Sequence, residues 1–97
     1  MMNDKNHIYI DALNNWGHSA QMDVTIEELS ELIKAIIKHR RNPTDQTAFN
    51  IAEEVGDVYI MLKQVEIAMT RNYPDFPYWE NGSIQSKLRR VENALKN

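Results

Sequence analysis

Two acidic groups have residue types and spacing that can do chemistry: Glu27-Glu28-Leu29-Ser30-Glu31 and Glu53-Glu54-Val55-Gly56-Asp57. Each contains a carboxylate pair spaced i, i+3, which on a helix puts both acids on one face about a turn apart. One such pair arises by chance in many helical proteins and then marks only a solvated surface. Two pairs, Glu28/Glu31 and Glu54/Asp57, on neighbouring helices and beside the apolar stripe of each, have a different meaning. Glu28 borders the stripe through Leu32, and Glu54 and Asp57 border Met61 and Ala68. Acids converging there repel by on the order of several kcal/mol unless they are protonated or neutralised, and a divalent cation neutralises them. The chain has no cysteine, and oxygen ligands select Mg²⁺ or Mn²⁺ over Zn²⁺.

The elements that must position these acids read as helices, because apolar residues recur three and four apart and strand signals are weak. A short first helix is expected from about Ile8 to Trp16, stopped by Gly17. A second, from about Gln21 to Arg41, carries Ile26, Leu29, Leu32, Ile33, Ile36 and Ile37 on one wide face and ends at Asn42-Pro43. A third starts near Thr44 or Asp45, either of which can cap it, and runs to about Arg71. It has two stripes: Ile51, Val55, Val58, Leu62, Val65 and Met69, and nearly opposite them Ala52, Gly56, Ile60 and Ile67. Two stripes need two partners, so one is expected to meet a second subunit. Gly56 costs about 1 kcal/mol relative to Ala within a helix, which suggests close packing by another backbone. Residues 72–82, with two prolines and four aromatics, read as a loop. Ser83 would then cap a last helix bearing Ile84, Leu88, Val91 and Leu95. The fold class is all-α: a helical hairpin with flanking helices, forming a four-helix-type bundle on oligomerisation.

The chain's 97 residues make one domain, 1–97, and its 42% hydrophobic and 26% charged content is that of a folding chain. A net charge of −3 argues against wrapping nucleic acid. The longest apolar runs are far too short to span a membrane and Met1 to Asn6 have no signal-like apolar core, so a cytoplasmic location and no membrane partner are expected. There is no Ser-His-Asp set and no Gly-rich phosphate loop, which removes support for covalent catalysis and P-loop binding.

Glu27-Glu28-x-x-Glu31 followed after a spacer by Glu54-x-x-Asp57 resembles the E-E-x-x-E…E-x-x-D signature of the all-α nucleoside triphosphate pyrophosphohydrolases, specifically the small MazG-like proteins. The flanking text agrees, with Trp16-Gly17 and Gln21 upstream, Glu27 to Ala35, and Ile51 to Leu62. The likeness covers residues 16–70 well and the tail loosely. It implies that Glu28, Glu31, Glu54 and Asp57 ligate Mg²⁺. It also implies cleavage of a nucleoside triphosphate between the α and β phosphates, and a homodimer or homotetramer. Mg²⁺ would neutralise charge developing on pyrophosphate, with Glu27 or Glu53, or a second ion, orienting the attacking water. Gln85-Ser86-Lys87-Leu88 is similar to the N-x-K-[FL] stretch of larger MazG proteins, which makes Lys87 a substrate contact. Val91 stands where an arginine is expected, with Arg90 one position early.

Other readings stay open at this stage. Trp16 either stacks on a nucleobase or covers the bundle end, and Gln21 either bonds a base edge or begins a helix. Tyr73, Phe76, Tyr78 and Trp79 fasten a loop to the core or form a lid. His7, His18 and His39 have no ligand-like spacing, and the cations around His39 complement a helix C-terminus. The alternatives to a MazG-like enzyme are phosphoribosyl-ATP pyrophosphohydrolase, against which Trp16-Gly17…Gln21 speaks, and a non-catalytic helical adaptor with an acidic face.

Overall fold

The computed structural model describes residues 5–96, which form four helices: α1 (Asn6–Trp16), α2 (His18–Arg41), α3 (Asp45–Asn72) and α4 (Phe76–Lys96). Among the described residues there is no strand, so the all-α expectation holds. The joint between α1 and α2 is the single residue Gly17, with φ 92° and ψ 156°. Only glycine takes that conformation without strain. Gly17 donates to Leu13 O at 2.8 Å and accepts from Gln21 N at 3.1 Å, closing one helix and opening the next. This sharp joint lets α2 begin at His18, three residues before the expected start.

Asn42-Pro43 ends α2 as expected, and the reversal is clasped by side chains. Thr44 Oγ1 accepts from Thr47 N, and Thr47 Oγ1 accepts from Thr44 N, both at 3.0 Å, a reciprocal cap with threonine in the place usual for Glu or Gln. His39 Nδ1 and Thr47 Oγ1 lie 2.7 Å apart, tying the end of α2 to the start of α3. The two long helices therefore form an antiparallel hairpin, which makes the largest internal interface. α1 lies against both, whereas α4 packs on α3.

The expected loop over 72–82 is corrected: only Tyr73, Pro74 and Asp75 separate α3 from α4, and Ser83 lies inside a helix. Pro77 stands in the first turn of α4, where its missing N–H has no helical partner to lose. Gly82 is carried along inside the helix.

The inward line of α3 also differs from the expected stripe. Val58, Met61, Gln64 and Ala68 are buried, Ile51, Val65 and Met69 are half-buried, and Val55 and Leu62 are exposed. Of the second stripe, Ala52, Gly56 and Ile60 are exposed, and a Cβ built on Gly56 meets open space, so no backbone among the described residues packs there. Two glutamines meet at this inward line. Gln21 and Gln64 are only 8% and 4% exposed, and Gln21 Nε2 donates to Gln64 Oε1 at 2.7 Å. Thr25 Oγ1 donates to Gln21 O, and Gln64 Nε2 approaches Met61 Sδ at 3.6 Å, so the amides are satisfied in the interior. Gln21→Ala orphans the Gln64 carbonyl and is expected to cost about 1–3 kcal/mol, read by urea denaturation, whereas the double replacement Gln21→Leu with Gln64→Leu costs less than the single change.

The apolar core is small: Leu13, Ala35, Val58, Met61 and Ala68. Ile26, Leu29, Ile33, Ile36 and Ile37 of α2 and Val55, Tyr59 and Leu62 of α3 are exposed. Both strips lie roughly 120° round from the residues facing the other helix, on the same side of the hairpin. The accessible surface is 7575 Å² for 11.4 kDa, about 1,800 Å² more than is usual for a monomer of this mass. The radius of gyration is 16.3 Å against about 12.5 Å for a compact chain of this length.

Candidate metal centre

Because α2 and α3 run antiparallel, the middle of one meets the middle of the other, and their acids share a face of the hairpin. Glu28 on α2 and Glu54 and Asp57 on α3 each place a carboxylate oxygen within 4.8 Å of the other two. Glu28 and Glu54 are half-buried and Asp57 is exposed. Glu54 Oε1 is buried and has no hydrogen-bond partner among the described residues. A buried oxygen left unpaired is costly, and a hard cation would satisfy it.

Electrostatics record the same crowding. Desolvation holds the Glu28 carboxyl above its ordinary value of 4.5, with Asp57, Glu54, Glu27 and Glu31 adding repulsion. Glu54 is raised by desolvation and then by Asp57, Glu31 and Glu53. Glu31 thus stands near enough to act on both, but it lies outside the tight group of three and pairs with Lys34 at 3.6 Å. Glu27 and Glu53 are exposed at the margin.

No family model, curated protein or solved structure matches the chain. What the site can do must therefore be argued from its own residues. The donor set is three carboxylates from two rigid helices with an orphaned oxygen among them, which fits Mg²⁺ or Mn²⁺.

The remaining candidate residues are dispersed. Trp16 is 63% exposed at the α1–α2 joint, beside a shallow hollow of about 760 Å³ that His7, Asp11 and Asn15 also line. Gln21 is committed to Gln64 in the interior, which removes it from contact with a base. Lys87 and Arg90 are exposed on α4, a helix that packs against α3 near Glu66, Ile67 and Thr70, and neither lines the cavity next to the acids. Sequence reading missed Lys34, Lys38 and Asn50, which do line that cavity with Glu31, Glu53 and Glu54. The signal was present: Glu31, Lys34 and Lys38 follow one face, as do Asn50, Glu54 and Asp57.

A second acid pair lies elsewhere. Glu80 of α4 is raised first by its hydrogen bond with Glu66 of α3, then by desolvation and the Glu66 charge, with Lys63 opposing.

The raised carboxyls at the candidate centre fix the sign of a pH effect. Folding there favours the protonated forms, so the contribution of Glu28 and Glu54 to stability is fully present below pH 4.5 and is lost as pH rises through their raised values. A divalent cation held by these carboxylates would reverse this above that range. At about 100 Kd of free Mn²⁺ it would add about 2.7 kcal/mol, a melting shift of roughly 10–20 °C. The shift is expected near neutral pH and to be much smaller at about pH 4, where protons compete for Glu28 and Glu54. Equal shifts at both pH values in calorimetry contradict a carboxylate site.

Proposed function

We propose that the chain is a cytoplasmic, Mg²⁺-dependent nucleoside triphosphate pyrophosphohydrolase that releases a nucleoside monophosphate and pyrophosphate. The observation that carries this reading is the convergence of Glu28, Glu54 and Asp57 from two antiparallel helices, with Glu54 Oε1 buried and unpaired. The resemblance of the E-E-x-x-E…E-x-x-D spacing to MazG-like enzymes supplies the reaction class.

When bound there, Mg²⁺ would offset charge on phosphate oxygens. The chain's own residues do the rest. Glu28, Glu54 and Asp57 hold the ion, with Glu31 able to join by leaving Lys34, since an exposed pair at 3.6 Å adds little stability. Glu27 and Glu53 stand at the rim, where an acid can orient and deprotonate an attacking water. Trp16, exposed at the end of α1, offers a face for a base to stack on.

The functional unit in this reading is a homodimer or a homotetramer. The apolar strips of α2 and α3 lie on one side of the hairpin, and the surplus surface of about 1,800 Å² per chain is what a large stable interface removes. Two hairpins meeting through these strips complete a four-helix bundle.

The test is incubation with a panel of ribo- and deoxyribonucleoside triphosphates, phosphoribosyl-ATP included, and Mg²⁺, with products resolved by chromatography. Monophosphate and pyrophosphate in equal amounts from at least one nucleotide are expected. Absence of pyrophosphate from every reaction rejects the reading and favours an adaptor. Release from phosphoribosyl-ATP alone assigns the related histidine-pathway reaction.

A further inference from the structure

A cavity of about 170 Å³ continues from the acid cluster along the hairpin toward the 42–44 turn. Glu31, Lys34, Ala35 and Lys38 line it from α2, and Thr47, Asn50, Glu53 and Glu54 from α3. The antiparallel register sorts its charges. Glu54, itself one of the acids, lies with Glu31 and Glu53 at one end, while Lys38 and Asn50 lie at the end nearer the turn. The groove is therefore acidic at one end and cationic at the other, over roughly 15 Å of helix from Glu28 to Lys38.

We propose that this groove binds the diphosphate end of the substrate, and pyrophosphate itself, with Lys34, Lys38 and Asn50 as its anion-binding side. An occupant that suits both ends needs oxygens that share a cation with the carboxylates and negative charge for the ammonium groups. A metal diphosphate has both. Lys34 is 65% exposed in its side chain and pairs with Glu31 at 3.6 Å, so its ammonium turns to a phosphate with little loss. Gln46 Nε2 donates to Asn50 Oδ1 at 2.9 Å, which occupies the Asn50 carbonyl and leaves its NH₂ as the group offered to an anion. Thr47 is engaged with Thr44 and His39 and acts as the wall.

The assignment differs from that implied by the tail, where Lys87 and Arg90 would hold the phosphates, because those residues lie on a helix that does not border the groove. It also gives the substrate a direction: terminal phosphates toward the turn, nucleoside toward the half of α2 that begins beside Trp16.

The inference rests on the reading that the acids handle a phosphorylated substrate, and the experiment separates the two. Mg²⁺-pyrophosphate and, separately, nucleoside monophosphates are titrated calorimetrically into the full chain and into Lys34→Ala, Lys38→Ala, their double variant and Lys87→Ala, with Mn²⁺ titrated alone as a check on the acids. Each single groove variant is expected to weaken pyrophosphate about tenfold and the double about a hundredfold, with Mn²⁺ affinity and the affinity of nucleoside monophosphates unchanged. Lys87→Ala should leave pyrophosphate binding within about twofold. Unaltered binding in the double variant overturns the proposal, as does a larger loss from Lys87→Ala or a parallel loss of Mn²⁺ affinity. Wild type that binds Mn²⁺ but not pyrophosphate overturns it and leaves the metal centre standing. Lysine-dependent pyrophosphate binding without hydrolysis of any nucleotide upholds the groove and rejects the hydrolase.

Discussion

Glu54→Gln is expected to lower pyrophosphate release by on the order of 10³-fold while the fold stays intact. Glu54 is one of three carboxylates within 4.8 Å, and its Oε1 is the oxygen left buried without a partner. A glutamine of the same shape offers a weaker, neutral oxygen, and the loss of a ligand to a catalytic cation is felt as several kcal/mol of transition-state stabilisation. The same change relieves the metal-free chain, since Glu54 is held above its ordinary range by desolvation and by the Asp57 charge. Above the raised value the metal-free variant should therefore melt higher than wild type, and Mn²⁺ should raise its melting temperature far less. Activity falling as stability rises is the signature of a functional cluster. Unaltered turnover in product analysis would remove Glu54 from the chemistry, and a variant that melts lower would show the acid to be a structural contact.

The second large effect concerns association. Ile33→Glu should turn an oligomer into a monomer at micromolar concentration, read by sedimentation equilibrium. Ile33 is 59% exposed at the centre of the α2 strip, between Leu29 and Ile36. Burying an isoleucine is worth about 1.5–3 kcal/mol, and a carboxylate buried in its place adds a penalty, counted once for each copy in a symmetric contact. The combined change weakens association by at least about a hundredfold. If wild type sediments as a monomer, or the variant associates as wild type does, the bundle is not built on this face.

The fold was largely legible because its decisive signals are local. Gly17, Asn42-Pro43 and Thr44 break the helical pattern where the chain turns, and the i, i+3 acids mark a face whatever the tertiary structure. Residues whose meaning depends on a distant partner were not. Gln21 and Gln64 lie 43 positions apart, and each alone looks like surface. Their pairing lies on the face of α3 that Met61 and Ala68 share, while Val55 and Leu62 face outward. The start of α4 was hidden by Pro77, a helix breaker anywhere but in the first turn. Lys34 and Lys38 gain meaning only where the hairpin sets Asn50 and Glu54 across from them. Trp16 was legible as exposed chemistry, whereas the hollow that it lines with His7, Asp11 and Asn15 was not.

α4 is fastened to the rest of the chain near its first turns, through Pro77 and Glu80 against Glu66, Ile67 and Thr70, and none of its residues is buried. In an isolated chain its later turns therefore open without disturbing the hairpin, so amide deuteration runs ahead there and lags in the stretch around Val58 to Ala68. Deuterium uptake thus becomes a gauge of assembly: protection spreading into Ile84 to Leu95 as protein concentration rises reports that neighbours have closed over the last helix.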